Sequence, residues 1–154
     1  MPFLRRMLLA ALFWRERRRW YRPALPLVLL LPVVSMYYRG WGRPGDAGFV
    51  AEEDGRPVGA VWYRLFTEDR HGDGYVDPET LELAIAVVDG LRGRGIGHRL
   101  MEAMHEHARS TGLRRIALSV DADNPARRLY ASLGYEDYEP GDGKGRMVLD
   151  LGAA

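Results

Sequence analysis

Residues 81–110 constrain this chain more than any other stretch. Leu81–Val88 is apolar at every position except Glu82, which suits a strand buried on both faces. Asp89-Gly90 ends that run, and Arg92-Gly93-Arg94-Gly95-Ile96-Gly97 follows directly. Ile96, Leu100, Met104 and Ala108 then recur on one stripe, predicting a helix to about Ser110 that Thr111-Gly112 stops. Glycines at the joint let the main chain turn tightly and come within hydrogen-bonding distance of a ligand. The first N–H groups of the helix have no internal partner and, with the helix dipole, make an anion site matched to a pyrophosphate. The plainer reading is a strand-to-helix turn and nothing more.

Around this unit the rest of the chain arranges as follows. Leu4, Leu8, Ala11 and Leu12 recur at helical spacing, so residues 3–19 read as an amphipathic helix. Pro26 and Pro32 each suit a helix's first turn, predicting short pieces over 26–31 and 32–39. Residues 40–48, rich in glycine, form a loop. Strands are expected over 49–53 and 57–66, joined at Asp54-Gly55, a hairpin signal. After a polar connection over 71–78 come the 81–110 unit, a strand over 116–120, and a helix over 125–133. That helix has Asn124 as its cap and Gly134 as its stop. A strand over 146–151 follows the glycine-rich turn 141–145. The order predicts a mixed α/β domain built on one sheet.

The 154 residues suit one domain. With 22 basic and 21 acidic residues nearly cancelling, no concentrated positive face marks a nucleic-acid binder. The chain has no cysteine, so disulfides and thiolate metal sites are excluded, and a reducing cytoplasm is the compatible compartment. Arg5 and Arg6 before the apolar run 7–14 resemble a secretion leader, but five arginines between Arg15 and Arg22 stand where a cleavage site belongs. The apolar run 24–34 is too short, and too broken by Pro26 and Pro32, for a membrane span of about 20 residues. The histidines lack ligand spacing: His98 and His105 sit about 10 Å apart along a helix, and His105 and His107 on different faces. No metal is expected.

Two familiar phosphate motifs do not fit. A Walker loop ends Gly-Lys-Ser/Thr, whereas this segment ends Gly97-His98-Arg99. A dinucleotide fingerprint counted from Gly93 meets His98 at its last glycine position. Arg92, Gly95 and Gly97 instead fall in register with motif A of the GNAT acetyltransferase superfamily, Gln/Arg-x-x-Gly-x-Gly/Ala, which this segment resembles. Residues 83–88 look like that family's fourth strand. The run Asn124-Pro125-Ala126-Arg127-Arg128-Leu129-Tyr130-Ala131-Ser132-Leu133-Gly134-Tyr135 resembles its later Asn…Leu-Tyr…Leu-Gly-Phe/Tyr signature. The likeness covers residues 49–151 well and the helical N-terminus more loosely.

The resemblance implies a GNAT-like fold, a mixed and mostly antiparallel sheet flanked by helices; this sequence departs from it in starting almost inside the first helix, so the family's first strand is either missing or supplied by a start further upstream. It implies one N-acetyltransferase domain over 1–154, with residues 1–45 as the acceptor side and 48–151 as the acetyl-CoA-binding core. Acetyl-CoA would be the co-substrate. Its pyrophosphate would lie on Arg92, Gly93, Arg94, Gly95, Ile96, Gly97 and His98, its pantetheine arm along the main chain of Ile85, Ala86 and Val87, and its thioester carbonyl near the Val87 N–H. Asn124 reads either as a helix cap or as a cap that also touches the cofactor. Tyr130 lies on the apolar stripe of Ala126, Leu129 and Leu133. It is either plain core or, as the family likeness implies, the group that protonates the coenzyme A thiolate. Glu82, the one carboxylate in the central strand, is idle on a solvated edge but is the candidate base beside a V-shaped opening.

The implied acceptor is an amine, on a small molecule or a peptide, whose identity the sequence leaves open. The alternative is a catalytically weak acyl-CoA-binding or interaction protein on the same fold. The apolar residues over 25–34 cannot all face inward on two short helices. A homodimer is expected to cover part of them, or they wall the acceptor site; a membrane contact is the weaker alternative.

Overall fold

Asp54 and Gly55 both take positive φ, 51° and 71°, so the chain reverses there and joins strand β1 (Ala47–Glu53) to β2 (Arg56–Arg64). The structure, a computed structural model, describes residues 2–12 and 30–152. Helices α1 (Pro2–Leu12) and α2 (Pro32–Ser35) precede the hairpin. After it come β3 (Leu81–Val87), α3 (Ile96–Ser110), β4 (Arg115–Ser119), α4 (Ala126–Ser132), β5 (Glu136–Asp137) and β6 (Arg146–Asp150). The strands form one sheet in the order β1-β2-β3-β4-β6-β5. Every neighbouring pair is antiparallel except β3–β4. This is the mixed, mostly antiparallel sheet flanked by helices that the sequence predicts.

Alternation along the central strands divides the core in two. Val61, Tyr63, Leu81 and Leu83 meet Ile96, Leu100, Met101 and Met104 of α3 on one face. Ala60, Trp62 and Ala86 meet Met7 and Leu8 of α1 and Val34 and Tyr38 near α2 on the other. Both predicted glycine stops hold. Gly112 and Gly134 take positive φ, 76° and 90°. Leu113 N–H bonds back to Ala108 O at 3.0 Å, and Tyr135 N–H to Tyr130 O at 3.1 Å, closing each helix with a Schellman turn.

Several boundaries differ from expectation. The helix expected over 3–19 is described only to Leu12, and its remainder, with most of the piece over 26–31, lies outside the described residues. The helix expected over 32–39 ends at Ser35 and continues as turns to Gly40. Arg64, 1% exposed, explains that ending. Its guanidinium donates to Met36 O at 2.6 Å, Arg39 O at 2.8 Å and Gly40 O at 3.1 Å, satisfying carbonyls that a longer helix would use. Its remaining donors clamp Asp46 at 2.9 and 2.5 Å. Strand β2 stops at Arg64, short of the expected Phe66. The two-residue β5, which pairs with β6, has no counterpart in the sequence reading.

A buried histidine gives the fold a pH dependence. His105 on α3 is buried and shares a 2.9 Å hydrogen bond with the Tyr135 hydroxyl. Burial, with Arg109 adding to it, pushes its pKa down to about 4. Its folded value lies below the unfolded one, so stability is present above about pH 6.5 and is lost as pH falls toward 4. Denaturation at pH 7 and pH 5 should differ by about 2 kcal/mol from this group alone. His105→Gln should remove that increment, and an equal acid loss in both proteins would assign it elsewhere.

Candidate active site

The register of β3 decides where the site lies. Parallel pairing to β4 covers only Leu81↔Ile116 and Glu82↔Ala117, after which the two strands part. On the other side β3 stays paired to β2, from Glu82↔Arg64 to Val87↔Gly59. Val88 N–H bonds to Val58 O at 2.8 Å, which fixes the antiparallel alternation. Even-numbered residues of β3 thus turn their main chain toward β2, and Ile85 and Val87 turn theirs toward the gap. Ala86 lies along the gap, but its N–H belongs to the β2 ladder.

A cavity of about 550 Å³ occupies this gap and reaches both faces of the sheet. Leu8 and Ala11 of α1, with Tyr37 and Glu82, line one end; Ile96, Leu129 and Tyr130 line the other. Of the predicted site residues, Glu82, Ile85, Ala86, Val87, Arg92, Gly93, Gly95, Ile96, Gly97, His98, Asn124 and Tyr130 all border it. Arg94 does not. Its guanidinium reaches across to Glu53, 3.5 Å away.

At the α3 end, Gly93 and Gly95 hold φ of 78° and 77°, and Gly95 is the residue before the helix. No side chain caps α3, and its first turn carries no acid. Helix N-termini ordinarily attract both. Arg92 folds over the end of β3, its Nε donating to Val87 O at 3.4 Å and its Nη2 facing Asp89 at 3.1 Å. Gly97 also packs closely, since a β-carbon there would sit 3.3 Å from Leu129. This end presents main-chain N–H groups and a positive dipole to an anion.

Asn124 caps α4: its Oδ1 accepts the Ala126 N–H at 2.9 Å. The capping role is present, and the same residue borders the cavity. Tyr130 is buried, and burial pushes its phenol up to about 12, so it holds its proton at neutral pH. Its ring lies 5.9 Å from that of Tyr135.

Glu82 is 3% exposed. Its Oε1 accepts the Tyr37 hydroxyl and the Gly74 N–H, the latter at 3.1 Å. Burial pushes its carboxyl above the usual range, although those bonds and the Gly72 N–H pull the other way. A buried carboxyl and a buried phenol thus line the same cavity. Tyr37 was not legible as a site residue. No spacing rule ties it to a carboxylate 45 positions later.

The histidines are each engaged locally. His98 faces Glu102 at 3.2 Å, His71 stacks on Tyr75, and His107 packs against Phe49 and Tyr63. Among the described residues no helix is long and apolar enough to cross a membrane.

Residues 9–135 match the Acetyltransferase (GNAT) family. The chain belongs to that family. Within it, the chain is similar to a mycothiol acetyltransferase of Thermomonospora curvata, 37% identical over 99 residues, which are 64% of this chain and 30% of that protein. The chain thus spans about 30% of the length of the curated relatives it matches. A ribosomal-protein-alanine N-acetyltransferase from Brucella melitensis superposes with a TM-score of 0.59 at 26% identity, over 75% of each chain. An Escherichia coli GNAT N-acetyltransferase in complex with CoA superposes with a TM-score of 0.51 at 22% identity, over 68% of this chain and 58% of that one. The last likeness is one of fold.

Proposed function

We propose that this GNAT chain transfers an acetyl group from acetyl-CoA to a primary amine by direct attack in a ternary complex. One observation carries the proposal. A continuous cavity joins an uncapped, acid-free helix N-terminus to a buried carboxyl through the gap between β3 and β4. Residues 48–151 would hold acetyl-CoA, with its phosphates on the 92–98 turn and its arm along Ile85 and Val87. Residues 1–45, through α1 and Tyr37, would wall the acceptor side. Exposed Leu30 and Leu31 belong to the same proposal as the surface that a second copy covers. A cytoplasmic site of action accords with the lack of cysteine.

Bound acetyl-CoA supplies a thioester carbonyl and a thiolate leaving group. The Glu82 carboxylate takes the proton of the acceptor ammonium, directly or through water, and frees the nitrogen lone pair. The Val87 N–H, turned into the gap, donates to the thioester oxygen as charge develops on it. As the nitrogen–carbon bond forms, the carbon–sulfur bond breaks, and the Tyr130 hydroxyl gives its proton to the departing sulfur. The attacking nitrogen sheds its second proton through water to leave a neutral amide, and the Tyr130 phenolate takes a proton back by the same route. The proton on Glu82 returns to water.

Thiol release from acetyl-CoA against a panel of primary amines tests the activity. At least one amine is expected to accelerate release. CoA binding without acceleration by any amine would instead favour the acyl-CoA-binding alternative. Tyr130→Phe should lower turnover by up to roughly 10²-fold, because a thiolate needs less help than poorer leaving groups. Full rate across the pH range in that variant would return Tyr130 to the core and place the acid elsewhere.

A further inference from the structure

One atom at the acceptor end has no partner to account for it. Glu82 Oε2 is buried and makes no hydrogen bond among the described residues, whereas Oε1 is bonded twice. A buried oxygen left open beside a cavity calls for an explanation. The packing around Oε1 is specific. A β-carbon at Gly74 would come within 2.8 Å of Oε1 and 2.9 Å of Glu82 Cγ. One at Gly72 would strike the Tyr37 hydroxyl and come within 2.7 Å of Oε1. Only glycine lets this loop close over one edge of the carboxyl.

The loop and the phenol are themselves held. Arg146 Nη1 donates to Tyr75 O at 2.8 Å, and Arg115 pairs with Asp77 at 3.2 Å. The Tyr37 ring meets Phe66 edge-on with centroids 5.2 Å apart. Among the described residues, the charged surroundings of Glu82 offer no compensating cation. Asp73 of the loop adds a like charge. Arg64 stands opposite Glu82 on β2, but its donors go to Asp46 and to the carbonyls of Met36, Arg39 and Gly40. Its neighbour on β4 is Ala117, and α1 brings Leu8 and Ala11 to the cavity. The charge of this carboxylate is thus held by hydrogen bonds to a single oxygen.

We infer that Tyr37 is the positioning residue of Glu82: with the Gly74 N–H it occupies Oε1 and turns the carboxyl so that Oε2 takes the acceptor's proton. The inference rests on Glu82 as proton acceptor. A donor to a carboxylate favours the charged form, so removing the Tyr37 hydroxyl must push the Glu82 carboxyl further up.

The test is a carbon-13 NMR titration of the full chain labelled at glutamate side-chain carboxyls, without substrate. The Glu82 signal is assigned by its loss in Glu82→Gln. Tyr37→Phe keeps the ring and should raise the Glu82 midpoint by about one to two pH units, the worth of one charge-assisted hydrogen bond. Gly72→Ala, which displaces the hydroxyl without deleting it, should shift the midpoint the same way, and carries the test if Tyr37→Phe does not fold. The acid limb of amine-dependent thiol release should move with the titration. An unmoved midpoint in a folded variant overturns the positioning role even where Glu82→Gln is inactive. A fully active Glu82→Gln overturns the base instead, whatever the titration shows.

Discussion

Glu82→Gln is expected to cut amine-dependent thiol release by roughly 10²–10⁴-fold, the usual worth of a general base, while leaving the fold at least as stable at neutral pH. The two halves of this result have one cause. Among the described residues, Glu82 sits in an apolar cavity with Oε2 unpartnered and no cation to compensate it. Its folded pKa lies above its unfolded one, so the stability it allows is fullest below the unfolded value and falls as pH rises through the folded value. Glutamine keeps the volume and the acceptor for Tyr37 and the Gly74 N–H, and replaces the buried charge with a neutral amide, which is cheaper to bury. The parent's rate should fall on the acid side as Glu82 becomes protonated, and the variant's residual rate should lose that limb. Steady-state kinetics over pH and denaturation at pH 7 check both halves. A variant with the parent's rate would show that another group or bulk water takes the proton.

How much of this was legible beforehand follows the range of the interactions concerned. Helix stops at Gly112 and Gly134, the Asn124 cap and the 92–97 turn are set within a few residues, and each is where the sequence places it. Element types survived for the same reason, since alternation and helical stripes are local. What failed is non-local. The short end of α2 is decided by Arg64, whose guanidinium gathers three carbonyls from 24 to 28 positions away. The parting of β3 from β4 after Glu82↔Ala117 turns an apolar strand into the wall of a cavity, and no residue pattern in either strand announces it. Gly72 and Gly74 read as ordinary loop glycines, because their reason for being glycine is a side chain that arrives from β3.

Gly95→Pro is expected to abolish CoA binding, with at least about a 100-fold loss in affinity, in a chain that still folds. Gly95 holds φ of 77° and ψ of 0° directly before α3. Proline fixes φ near −65° and removes the N–H, so the peptide planes entering the helix must swing away from the cavity. The N–H groups of the first helical turn are the donors proposed for the phosphates. Each charge-assisted hydrogen bond is worth about 1.5–3 kcal/mol, so misaiming two of them exceeds a hundredfold. Gly95→Ala grades the effect. Nothing lies within 4 Å of a β-carbon there, so the alanine meets no clash and costs only the left-handed strain of about 1–2 kcal/mol. The body of α3 does not depend on this residue. Ile96, Leu100, Met101, Met104 and Ala108 are buried against the sheet, and the Gly112 stop is at the far end. Far-UV circular dichroism and a denaturation curve should therefore show a folded Gly95→Pro chain, and calorimetry with CoA should show the parent binding, Gly95→Ala weakened and Gly95→Pro silent. Parental affinity in a folded Gly95→Pro would mean that the turn is structural and that the phosphates of CoA rest elsewhere along the cavity.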